Sequence, residues 1–145
     1  MDENLELLEH IYKDCDMSCI TLEKLLTELK EKDNKIKKKI EEILKDYEKF
    51  LKDAKKHLKD YNAPLEENSM MAKMGAKMGI KKEVKCDNSD ASIADMLIKG
   101  ITMGTIDMEK KITNYKEVAN KKYLEFAKEF LVFQQETIEQ LKIYL

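Results

Sequence analysis

The sequence predicts an all-α fold made of two antiparallel helical hairpins, and three observations carry that prediction. Apolar residues recur at alternating steps of three and four over two long stretches, the spacing that lines up one face of an α-helix. Turn formers are scarce, with four Gly and one Pro in 145 residues. Charged residues reach 39% beside 43% hydrophobic ones, the balance of long helices with solvated outer faces. A chain of this length is expected to form a single domain, residues 1–145, that buries roughly 70% of its unfolded surface.

The first helix is expected over about 3–31, because Leu5, Leu8, Tyr12, Cys15, Cys19, Leu22, Leu26 and Leu29 form one continuous seam. Asp33 or Asn34 then offers a side-chain cap to a second helix over about 34–62, where Ile36, Ile40, Ile43, Tyr47, Phe50, Ala54, His57 and Tyr61 keep the same step. The short turn makes the two antiparallel. Charge pairs at four-residue spacing, Glu28 with Lys32, Glu41 with Lys45 and Glu48 with Lys52, decorate the outside and contribute only a few tenths of a kcal/mol each, about 0.2–0.5.

Asn62, Ala63 and Pro64 stop the second helix, since proline disfavours helix in the residue before it. A crossover over 63–90 follows, with a short Met-rich helix from Glu66 to about Met78. Ser89 or Asp90 caps a third long helix over about 91–118, and a break near Asn120 opens a fourth over about 121–144. The third is apolar in nearly every direction, and Gly100 and Gly104 stand one turn apart in it, as if another backbone came close. The fourth carries two apolar stripes, one with Leu124, Ala127 and Leu131 and one with Phe126, Phe130 and Phe133. Two stripes exceed what one bundle needs, so a homodimeric contact through these last two helices is expected.

Two hairpins joined by a long crossover, together with the segments MMAKMGAKMG (70–79) and DNSDASIADMLIKG (87–100), resemble small bacterial proteins of the ferritin-like four-helix-bundle superfamily. The resemblance implies a four-helix bundle. It also implies a di-iron site with a Glu from each of two helices and Glu-x-x-His from each of the others. That ligand set is missing: Ala54 stands three residues before His57, and the fourth helix has no histidine.

Function is constrained mainly by exclusion. All 27 basic residues are lysines against 29 acidic residues, so no basic excess marks a nucleic-acid surface. No uncharged stretch approaches the ~20 residues of a membrane span, and an acidic start with three cysteines points to a cytoplasmic protein. No phosphate loop, nucleophile elbow or Cys/His pair is present.

The expected role is therefore non-enzymatic, structural or protein-interacting, with no cofactor and a protein partner or second copy as ligand. Met70, Met71, Met74 and Met78, with Phe126, Phe130 and Phe133, are the candidate contact residues. The methionine stripe has three uses: capping the bundle, docking a partner helix, or binding Cu(I) through thioethers. The alternative function is a metal or redox site for iron or copper inside the bundle, with His57, Asp53, Glu109, Glu129, Cys15 and Cys19 as ligand candidates. Against it, His57 reads as a core-edge histidine hydrogen-bonded to Asp53 or a tyrosine. Cys15 and Cys19 read as core filling, because the hairpin register sets them ~10 Å from His57 along the axis.

Overall fold

A computed structural model describes residues 2–145 as five α-helices and a terminal 3-10 turn. In order these are α1 (Glu3–Glu28), α2 (Lys37–Asp60), α3 (Met70–Cys86), α4 (Asp90–Tyr115) and α5 (Lys121–Leu141). No strand occurs among the described residues.

The helix α1 packs against all four others. That is why its buried set is wider than one seam: Leu7, Ile11 and Leu25 are buried as well as Leu8, Tyr12, Cys15, Cys19 and Leu22. Asp2 caps its start, accepting from the amides of Asn4 and Leu5. The Tyr61 hydroxyl accepts from the Asn4 side-chain amide and donates to the Asp2 carboxylate, tying that start to the end of α2, so the pair is an antiparallel hairpin. The connection is longer than expected. α1 ends at Glu28 and α2 begins only at Lys37, with Ile36 as an uncapped first position. Asn34 is not a cap; its amide crosses to the carbonyl of Asn88 at 2.7 Å and to Asp90 at 2.8 Å, joining this turn to the start of α4.

Ending α1 early also changes the charge pairs. Lys32 lies outside the helix, and Glu28 pairs with Lys24 at 3.3 Å instead. The ion pairs of the described residues include neither Glu41–Lys45 nor Glu48–Lys52, as expected of exposed, solvated side chains. α2 closes through Asn62, the one non-glycine residue at positive φ among the described residues, 58°. There the amides of Asn62 and Ala63 reach back to Lys59 and Leu58, satisfying the last carbonyls before Pro64.

The crossover contains a longer and later helix than its sequence suggests. α3 starts at Met70, capped by the Ser69 hydroxyl, and runs through Gly79 and the Lys81-Lys82 pair to Cys86. Its second half is held by tertiary packing, since Ile80 and Val84, one turn apart, are buried. Asn68 anchors its start by donating to the Lys13 carbonyl at 3.1 Å and to Asp16 at 3.3 Å on α1.

α4 and α5 form the second hairpin, with Ser89 and Asn120 as caps. α4 is not buried all round: Met103 and Ile106 stay exposed. The second stripe of α5 is covered by α2 of the same chain. Phe126 and Phe130 are buried there, and their rings, with that of Phe133, meet Phe50 and Tyr47 at centroid distances of 5.0–6.2 Å. The surplus of aromatic residues thus has an internal use.

Gly79 sits inside α3, and a Cβ at that position would have nothing within 4 Å. Gly79→Ala is therefore expected to stabilise the protein by about 0.5–1 kcal/mol, read as a higher urea midpoint at unchanged slope.

Candidate functional site

One seam of α1 runs Leu7, Ile11, Asp14, Ser18, Leu25, and two of its members are polar. The packing of four helices on α1 carries Asp14 inward to meet Gln134 of α5, itself fully buried. Gln134 donates to the Asp14 carboxylate at 3.1 Å and to the Tyr47 hydroxyl of α2 at 3.1 Å. Ser18, one turn along α1, donates to the other Asp14 oxygen at 3.0 Å.

On the outer side lies His10, whose Nε2 is 3.9 Å from Asp14. Its Nδ1 is 3.2 Å from Asp107 and 3.4 Å from the ammonium of Lys111, both on α4. Lys111 in turn pairs with Asp107. The result is a polar chain from the surface to the middle of the bundle.

Burial dominates its electrostatics. Desolvation pushes the Asp14 carboxyl above the ordinary range, opposed by its hydrogen bonds from Gln134 and Ser18 and by His10. Desolvation likewise lowers His10, against the pull of Asp14 and Asp107. The Asp107 carboxyl is lowered, chiefly by its hydrogen bond from Lys111. Two buried atoms flanking Asp14, His10 Nε2 and Gln134 Oε1, have no hydrogen-bond partner. Each such orphan costs roughly 1–3 kcal/mol.

Asp14 stands between two concavities. Outside is a charged depression with His10, Lys13 and Lys111. On the other side is an apolar cleft of about 400 Å³, partly open to solvent, walled mainly by α1, α2 and α4 through Leu22, Ile43, Leu97 and Ile101, with Asp14, Ser18, Thr21 and Tyr47 as its polar residues.

Gly104 makes this arrangement possible, because a Cβ there would lie 2.8 Å from an Asp14 oxygen. The close approach is by a side chain, not by another backbone. Gly100 has nothing within 4 Å and lines the cavity.

The metal candidates do not converge, and among the described residues no group of three or more His, Cys, Asp or Glu side chains is placed to hold a metal ion. Asp53, Glu109 and Glu129 are exposed. Glu109 accepts from Gln135 at 3.2 Å.

His57 is not hydrogen-bonded to Asp53 or to a tyrosine. Its Nδ1 is buried without a partner, and its ring packs on Phe126 at 4.6 Å and Tyr123 at 5.6 Å between centroids. Burial and Lys122 lower its pKa.

Cys15 and Cys19 are buried free thiols. Burial raises both, Cys19 to about 12, so neither is a ready thiolate at neutral pH. Met70, Met71, Met74 and Met78 are not a cap on the bundle; they are 59–86% exposed. Phe126 and Phe130 are buried and Phe133 half-buried, so only the methionines of that candidate set face outward.

The network residues His10, Asp14, Tyr47 and Gln134 were not among the sequence candidates as a site. Their signal is positional: Asp14 and Ser18 continue the Leu7–Ile11 step on α1, and Gln134 and Thr137 continue the step from Phe130 to Leu141 on α5.

The chain matches no protein-family model, and no curated protein or solved structure matches it significantly.

The raised Asp14 pKa has a definite sign. The folded state holds that proton more tightly than the unfolded chain, so stability falls as pH rises above 3.8 and through the folded pKa. Asp14→Asn is expected to become increasingly favourable relative to wild type as pH rises above about 4, levelling off once the folded carboxyl has ionised, measured by thermal unfolding across pH. A constant difference would mean the carboxyl is not held above its ordinary value.

Proposed function

We propose that the protein is a cytoplasmic, non-enzymatic interaction protein of ferritin-like architecture, and that α3 is its docking element. The observation that carries this reading is the exposure of Met70, Met71, Met74 and Met78 on a helix otherwise fixed through Ile80, Val84 and Asn68. Methionine is flexible and polarizable, and an exposed methionine cluster adapts to an apolar partner surface. The exposed lysines Lys77, Lys81, Lys82 and Lys85 extend that surface, so the partner is an amphipathic helix with acidic residues beyond its apolar stretch.

The ferritin-like reading is supported by two hairpins separated by a long connection, with α3 as an added fifth helix. Three free cysteines agree with a reducing compartment, and no helix among the described residues is long and apolar enough to cross a membrane.

Replacing the four methionines with serine should leave stability almost unchanged, since exposed substitutions stay within about 0.5 kcal/mol. Affinity capture from native cells, run in parallel, is expected to retain a partner with wild type and lose it with the variant, and cross-links from α3 should map to an acidic helix. Identical captures would defeat the proposal.

A homodimer is the second reading, favoured by Met103 and Ile106, exposed on α4 three residues apart. Light scattering should then show a dimer that Met103→Glu converts to monomer; a monomeric wild type at high concentration would dispose of it.

A further inference from the structure

The cavity beside Asp14 is an apolar cleft, partly open to solvent, with a carboxylate at one end. Its volume, about 400 Å³, lies within the range of small-molecule sites, typically about 300–1,000 Å³. The helix α4 opens it with two glycines of different kinds. Gly104 is required by the Asp14 oxygen that would meet its Cβ at 2.8 Å. Gly100 has no such neighbour, yet a helix-interior glycine costs about 1 kcal/mol relative to alanine. Its visible effect is to leave the cavity wall without a side chain.

The polar end of the cavity defines the chemistry it would accept. Asp14 takes hydrogen bonds from Ser18 and Gln134, both neutral groups, and each carboxylate oxygen keeps a further lone pair. The nearest cationic candidate, His10 Nε2, stops at 3.9 Å and faces Asp14 from the charged depression on the other side. Gln134 Oε1, an acceptor, is buried nearby without a donor. The site offers the Asp14 carboxylate and the hydroxyls of Ser18 and Tyr47 as acceptors, and no cationic side chain lines it. A buried carboxylate is best compensated by a cation that also hydrogen-bonds to it.

We propose that this cavity is a binding site for a small apolar primary amine, its hydrocarbon body against Leu22, Ile43, Leu97 and Ile101 and its ammonium on Asp14. The site is separate from the methionine face of α3, and its occupation does not depend on a docking role for that helix. An alkyl or arylalkyl chain supplies the apolar area. The amine supplies donors to the carboxylate, with the Ser18 hydroxyl as a further acceptor. A fatty carboxylate of the same length would set its charge against Asp14 and is rejected.

Three probes with one tail test this: n-octylamine, n-octanol and n-octanoate, titrated into the full-length protein by calorimetry and followed by thermal shift. The expected order is amine, then alcohol, then carboxylate, with at least tenfold between the first and last. Asp14→Asn should lower octylamine affinity at least tenfold while changing octanol affinity much less. Gly100→Phe should abolish binding of all three, and it should still fold because its Cβ meets nothing. Absence of octylamine binding would overturn the proposal. So would equal binding of octylamine and octanoate, unchanged affinity in Asp14→Asn, or binding that survives Gly100→Phe.

Discussion

Burial of α1 against all four other helices is the constraint on which the structure depends. A helix packed on one neighbour needs one apolar seam; α1 carries two, and the second contains Asp14 and Ser18. Because α1 is packed on all sides, those half-buried polar residues are largely withdrawn from water and find partners on α2 and α5. Tyr47 and Gln134 answer that requirement, and Gly104 on α4 clears the space in which it is met. Removing any of these would leave a buried polar group unpaired, which is more damaging than losing a surface ion pair.

The enclosure of α1 also organises the periphery. α2 and α5 meet through Tyr47, Phe50, Phe126, Phe130 and Phe133, a cluster of edge-to-face and stacked rings that fills the space beside α1. Both hairpin turns are then fastened to other elements: Asn34 to the start of α4, and the Asn120 amide to Asn4 at 2.6 Å. α3 lies against α1, joined through Asn68 and packed by Ile80 and Val84. Its opposite face remains uncovered, and so the methionines are exposed.

Much of this was legible in the sequence, and the losses have identifiable causes. The seam of α2, from Ile36 to Tyr61, maps onto buried or half-buried positions throughout. A seam identifies a helix but not how many neighbours it has, which is why α4 looked like the most enclosed helix while α1 is. Glycine misled in α3: Gly79 suggested a break, but Ile80 and Val84 hold the helix across it, and packing outweighs a propensity difference of about 1 kcal/mol. The aromatic stripe of α5 was readable as apolar surface, but its partner α2 is distant in sequence and only the fold brings them together. The Asp14 cluster was hidden for the same reason. His10, Asp14 and Ser18 share α1, but Tyr47 and Gln134 come from α2 and α5, far away in sequence.

Departures from local rules gather around Asp14 and along α3, with the unpartnered His57 Nδ1 as a further one elsewhere. Around Asp14 lie a carboxylate in an apolar seam, two orphaned buried atoms, and a glycine with nothing against it. On α3 lies a row of exposed methionines. Stability in a domain of this kind is a net ~5–15 kcal/mol, so features costing about 1–3 kcal/mol apiece are not negligible. A bundle selected for stability alone would place an apolar side chain at Asp14 and alanine at Gly100, and carry charged residues where Met71 and Met78 stand. Consistency elsewhere, in caps, seams and turns, makes these exceptions informative. The two clusters of exceptions lie on different surfaces of the enclosed helix. One is an apolar cleft with acceptor chemistry and the other an exterior apolar face, and α1 is the element that both share.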